Sequence, residues 1–287
     1  MRIVQTFWTA GRDPLKYSFG WSHPEYNLMS WALSCLSLRE HYDEVALYTD
    51  QEGYDVLINK LHLPYTEVNV VYDKNLCLPH HWAYAKIKTY SLQTKPFIHV
   101  DGDVYLLHPI PEDIANAPLI AQNREICTSY YGRMLHRIFF KTDITMSQYL
   151  RKMLSVGDWH SYNMGVFGGH NLDIIGNYCK EAFFFIESNK LNNPQISQSK
   201  IICNVFFEQM LFGMYANYNN FKVECLIHSL IKDNGYDKIM FCNYSWGPNN
   251  GFIHMLGKHK YNIELCDKMT EKVHNNFCVY YDLVRHL

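Results

Sequence analysis

The apolar run Phe97-Ile98-His99-Val100 ends in two carboxylates with one glycine between them, Asp101-Gly102-Asp103. Both carboxylates could converge on one hard divalent cation that also bridges phosphate oxygens, with Gly102 letting the backbone turn tightly. Asp-Gly between two apolar runs is also a hairpin signal, so this segment alone leaves a metal site and a plain turn both open. Other residues able to do chemistry follow a fixed order: Lys86 in a helix-like stretch, Asn163-Met164-Gly165, Glu208-Gln209, and His254-Met255-Leu256-Gly257-Lys258-His259-Lys260. Each also has a plain structural role to set against this. Lys86 could be an exposed helix lysine, Glu208 a paired helix carboxylate, Asn163 to Gly165 a packed strand, and His254 a satisfied buried histidine.

The elements that must position these groups alternate in type. Strand-like runs at residues 3–7, 45–48, 67–71 and 97–100 are separated by helical patterns at 26–39, 54–61 and 82–92. That βαβαβαβ order predicts a largely parallel sheet with right-handed crossovers, whose ligands bind at the carboxyl ends of the strands. Further on, residues 119–122, 162–167, 223–227 and 251–255 read as strands. Helical patterns cover 146–154, 172–188 and 204–215, and a closing helix is expected at 267–284. His80-His81 reads as the entry to a helix after Pro79.

Composition excludes several classes of function. The chain has 287 residues, with 26 Lys and Arg against 28 Asp and Glu, so it lacks the cationic excess that drives nucleic-acid binding. Hydrophobic residues at 48% and aromatics at 15% are incompatible with disorder. No apolar run approaches membrane-spanning length, and the segment from Met1 does not read as a secretory leader. Nine scattered cysteines include no C-x-x-C pair, and most of them read as buried small hydrophobes in a reducing cytoplasm.

The order of these motifs, over roughly Ile3 to Lys258, resembles the GT-A glycosyltransferases, especially the family 8 and family 32 enzymes such as glycogenin and bacterial galactosyltransferases. The resemblance implies an α/β GT-A (nucleotide-diphospho-sugar transferase) fold with a mixed, mostly parallel central sheet flanked by helices. A single domain over 1–287 is expected: a nucleotide-binding half at 1–105, a donor-sugar and acceptor half at 106–260, and a helical tail at 261–287. By resemblance, Asp101 and Asp103 hold Mn²⁺ or Mg²⁺ against the diphosphate of a sugar nucleotide, with His254 as third ligand. Gly102 and Gly257 shape the loops, and Lys260 binds diphosphate, with Lys258 an added candidate. No Pro-Trp follows Lys260, which departs from the family pattern. Thr6, Trp8 and Thr9 fall where the family binds base and ribose, and Asp50 offers a carboxylate there or an N-cap. Asn163, Gly165 and Lys86 match residues that meet the donor sugar or phosphate. Glu208-Gln209 matches the family's Asp-Gln pair at the reacting carbon, with Glu in place of Asp.

The activity implied is metal-dependent transfer of a hexose from a nucleotide sugar, expected to be a UDP-sugar, to a hydroxyl of a glycan or lipid-linked acceptor, as in polysaccharide biosynthesis. Anomeric configuration would be retained; an inverting enzyme would need a carboxylate base, with Glu208 and Asp158 as candidates. Asp103 belongs to the catalytic set through the metal. Trp159, Tyr162, Tyr244 and Trp246 are candidate sugar-stacking faces, and residues 243–250 a candidate flap. The alternatives are a catalytically degenerate GT-A domain that binds a sugar nucleotide or partner, and a metal-dependent phosphohydrolase. The expected location is the cytoplasm, with peripheral association at the inner face of the membrane left open.

Overall fold

The computed structural model describes residues 1–126, 129–140, 144–157, 160–192, 203–232 and 251–287. Strand β1 (Arg2–Phe7) leads to helix α1 (Pro24–Arg39), whose start is set by Pro24 in its first turn and by His23, which accepts a hydrogen bond from the Glu25 N–H. Strand β2 (Val45–Thr49) is followed by α2 (Gln51–Tyr54), which runs into a π-helical turn, Asp55–Lys60. This helix begins earlier than the apolar pattern predicts because Asp50 caps it: Asp50 Oδ1 accepts from Gly53 N at 3.1 Å. The inward residues Val56, Leu57 and Leu61 are buried as expected. Strand β3 (Glu67–Val70) precedes a 3₁₀ turn, Pro79–His81, which is the helix entry read from the sequence, and then α3 (Ala83–Ser91) and β4 (Phe97–Val100).

After β4 come β5 (Val104–Leu106), α4 (Glu112–Ala115), β6 (Ile120–Ile126), α5 (Ser129–Phe140), α6 (Gln148–Ser155), β7 (His160–Gly169) and α7 (Leu172–Ser188). A π-helical turn at Phe206–Met210 enters α8 (Leu211–Tyr218), followed by β8 (Glu224–Ile231) and β9 (Phe252–His254). A 3₁₀ turn at Gly257–Tyr261 then leads to α9 (Ile263–Asn276) and α10 (Cys278–Arg285). The single closing helix expected at 267–284 is thus two helices. Asn262 caps the first, accepting from Leu265 N at 3.2 Å, and Phe277, with φ −142° and ψ 51°, leaves helical geometry between them.

The architecture is mixed α/β. The main sheet has strand order β3-β2-β1-β4-β7-β6-β8 and is flanked by helices, and β5 and β9 form a separate two-stranded ladder. β1 with β2, β2 with β3 and β6 with β8 are parallel pairs, while β6 with β7 is antiparallel. The chain divides into two compact units, Met1–Lys74 with His99–Ile110 and Tyr236–Leu287, and Asn75–Ile98 with Pro111–Gly235. The first is built around α1, buried from Asn27 to Leu38, with Phe7, Leu47, Leu57, Met269 and Val273 in the same core. The second has an aromatic core in which Tyr90, Phe167, Tyr178 and Phe212 meet at centroid distances of 4.8 to 6.0 Å.

Seven cysteines among the described residues are free, and all but Cys278 are buried, as expected; Cys127 and Cys242 lie outside the described residues. No described helix is long and apolar enough to cross a membrane.

Candidate functional site

In the first unit, β4 ends at Val100 and the chain passes through Asp101, Gly102 and Asp103 into β5. This is not a hairpin. β5 pairs antiparallel with β9, with Val104 opposite His254, and Met255 N donates to Asp103 O at 2.9 Å. That ladder brings a distant histidine beside the two aspartates, and ligand atoms of Asp101, Asp103 and His254 all lie within 4.8 Å of one another. Two carboxylates and one imidazole at this spacing fit a single divalent cation of the Mn²⁺ or Mg²⁺ type.

The turn is held from below by α1. Ser30 Oγ donates to Gly102 O at 2.7 Å, Ser34 Oγ donates to Val104 O at 2.7 Å, and Ser37 Oγ accepts from Leu106 N at 3.2 Å. Serines four and then three apart lie on one helix face, so one stripe satisfies successive backbone groups that would otherwise be buried without partners. Gln5, fully buried in β1, adds a bond from Nε2 to Val100 O at 3.2 Å. The sequence reading missed these four residues. The signal was present as polar residues on an otherwise buried helix and strand.

Gly102 is required for space. A Cβ there would stand 2.5 Å from Cε2 and Cζ2 of Trp31, itself packed on Phe7. Gly102→Ala should therefore destabilise the protein by about 1–3 kcal/mol and weaken Mn²⁺ binding, measured by thermal melting and calorimetric titration. An unchanged melting point and Mn²⁺ affinity would show that the indole moves aside freely.

Lys260 reaches the same centre. Gly257 takes a left-handed conformation, φ +46°, at the start of the 3₁₀ turn that returns Lys260 to Asp103, Nζ to Oδ2 2.6 Å. Its backbone carbonyl accepts from Ser22 N at 3.1 Å, and its ammonium stands 5.5 Å from the Trp21 ring centroid. Lys258 is exposed. Burial works to raise the Asp103 pKa, but Lys260 first and then His254, with Nε2 at 3.4 Å, hold it well below the usual carboxylate range. Asp103 is therefore anionic at neutral pH and available as a metal ligand.

The remaining candidates in this unit are tied into the framework. Thr6 Oγ1 is 3.0 Å from His99 Nε2, and the other ring nitrogen of His99 lies 3.7 Å from Asp101. Trp8 is buried and donates Nε1–H to Asp73 O at 2.9 Å. Asp50 is buried and accepts from Thr9 N, Thr9 Oγ1 and Gly53 N, so its carboxylate organises the ends of β1 and β2.

The second unit holds the other sequence candidates. Lys86 is not an exposed helix lysine: it is 4% exposed, pairs with the fully buried Glu208 at 2.5 Å, and donates to Met164 O at 3.2 Å. Gln209 Oε1 lies 3.1 Å from the Tyr131 hydroxyl, which also bonds Glu125. Asn163 Oδ1 accepts from Gly165 N at 3.0 Å. Tyr162, expected as a sugar-stacking face, is instead buried edge-on against Phe212. Asp158, Trp159, Tyr244, Trp246 and the rest of 243–250 lie outside the described residues.

A family model described as "Family of unknown function (DUF6734)" matches residues 1–287. The chain belongs to that family. No curated protein matches this DUF6734 member. Among solved structures, it is similar to the crystal structure of mouse xyloside xylosyltransferase 1, apo form, at 10% identity and a TM-score of 0.45, covering 88% of this chain and 96% of that one.

Proposed function

We propose that this DUF6734 protein is a metal-dependent glycosyltransferase of GT-A type that moves a hexose from a nucleotide sugar, preferentially a UDP-sugar, to a hydroxyl of a glycan or lipid-linked acceptor. The observation that carries the reading is the convergence of Asp101, Asp103 and His254, with Lys260 on Asp103, at the carboxyl end of a strand. The motif order supplies the reaction class by resemblance. A divalent ion held by these three residues would neutralise charge on the leaving diphosphate. Lys260, paired with Asp103 at 2.6 Å, would add a second positive charge for the diphosphate, and Trp21 and Ser22 fix the turn that carries it. The resemblance assigns Asn163, Gly165 and Gln209 to the donor sugar.

Retention of configuration is the favoured stereochemistry. The family resemblance supports it, and of the two candidate bases that inversion would need, Glu208 is buried and paired with Lys86, while Asp158 lies outside the described residues. That same pairing favours the second reading, a domain that binds a sugar nucleotide without turning it over. A two-metal phosphohydrolase has less support, because one candidate metal-ligand group is found among the described residues.

Incubating the protein with Mn²⁺ and a panel of sugar nucleotides separates these readings. Release of UDP, accelerated by an acceptor and abolished by chelation, is the expected result. Saturable binding without turnover would select the non-catalytic reading, and release of inorganic phosphate from simple esters would select the hydrolase.

A further inference from the structure

Gln209 and Asn163 are connected to a buried carboxylate that the sequence reading never singled out. Glu125, on β6, is 6% exposed. It is hydrogen-bonded by Tyr131 and by the side chains of Asn163 and Asn123. The strand register explains the clustering: Asn123 pairs with Asn163 and Glu125 with Ser161 across β6 and β7, so polar side chains of both strands gather on one patch. Tyr131 arrives from the first turn of α5 and places its hydroxyl between Glu125 and Gln209.

Proton counting makes this arrangement informative. Tyr131 has one O–H, yet its oxygen lies within hydrogen-bonding reach of Glu125 Oε2 and Gln209 Oε1. One proton cannot serve two acceptors. If Glu125 is ionised, the phenol donates to it and the Gln209 amide must turn an N–H toward the phenol oxygen. If Glu125 carries a proton, it donates to the phenol, and the phenol donates to Gln209 Oε1. In both cases the end of the amide that faces Tyr131 is set by Glu125, and so is the end left for a ligand. Asn163 is constrained in the same way: its Oδ1 takes the Gly165 N–H, and its side chain also bonds Glu125.

We infer that Glu125 is a positioning residue: through Tyr131 it fixes the Gln209 amide, and directly it fixes the Asn163 amide, so one buried carboxylate orients both. Burial pushes the Glu125 carboxyl up, against its hydrogen bonds, and burial above all keeps the Tyr131 phenol protonated. The catalytic consequence rests on the proposed function; the orientation of the amides does not.

The test is a cycle of Tyr131→Phe, Gln209→Ala and the double variant, read by sugar-transfer kinetics and by the side-chain amide NMR signals of Gln209 and Asn163. Tyr131→Phe should lower kcat about tenfold, the kinetic equivalent of one hydrogen bond, with little change in KM. In the Gln209→Ala background Tyr131→Phe should cost nothing further, and the Gln209 amide signal should move in Tyr131→Phe. Additive losses in an active enzyme overturn the inference and leave the proposed function standing. If the wild type transfers no sugar, the proposed function fails, and the amide signals decide: an unmoved Gln209 signal overturns the inference, a moved one supports it. Glu125→Gln, with the same readouts on Gln209 and Asn163, replaces Tyr131→Phe if that variant does not fold.

Discussion

In Asp103→Asn, the Mn²⁺-dependent part of UDP affinity should fall by roughly 100-fold or more, the scale on which metal sites lose affinity when their ligand environment is broken. Asp103 is expected to show the largest binding effect because three groups depend on it. It is one of the three candidate ligand groups, its Oδ2 takes Lys260 at 2.6 Å, and its Oδ1 faces His254 Nε2 at 3.4 Å. An amide of the same shape keeps the turn filled but removes the charge that draws cation, lysine and imidazole together. Titration calorimetry of UDP with Mn²⁺ and with chelator is the measurement, with thermal melting to confirm folding. Unchanged UDP affinity in Mn²⁺ would remove Asp103 from the site and with it the proposed function.

Lys86→Met should destabilise the protein by about 3–5 kcal/mol, because it leaves the buried Glu208 carboxylate without its counter-charge. Lys86 and Glu208 side chains are 5% and 1% exposed, so water cannot stand in for the lost ammonium. Combining Lys86→Met with Glu208→Leu should recover most of that loss, since no charge then remains buried. Urea unfolding of the two singles and the double variant measures this. A loss below about 1 kcal/mol in Lys86→Met, as for an exposed pair, would contradict the buried geometry. Comparing transfer in the refolded double variant with wild type then isolates whatever chemical role the pair has beyond holding the second unit together.

Most of the element order was legible because hydrophobic periodicity is a short-range property. The alternation of strand and helix from β1 to β4 and the helix at Leu172–Ser188 follow directly from apolar spacing. α5 does not stand among the expected elements, although Tyr131, Met134, Leu135 and Ile138 are buried at helical spacing. The break at Phe277 was not legible, since both flanking segments read as helix. Tyr162 shows the opposite limit, because an aromatic near a strand end has the same local pattern whether it stacks on a sugar or packs on Phe212.

By itself, the sequence determined that an apolar strand ends in Asp101-Gly102-Asp103 within a largely parallel α/β succession, because those features need only neighbouring residues. Only the tertiary structure decided against a hairpin, by pairing β5 with β9 and so carrying His254 to the aspartates. It also decided that Lys260, and not Lys258, meets Asp103, that Ser30, Ser34 and Ser37 hold the turn, and that Lys86 is buried on Glu208. The physical reason is common to all of them. A polar side chain taken out of water must find its partner, and that partner is fixed by strand pairing and helix packing between segments far apart in the chain.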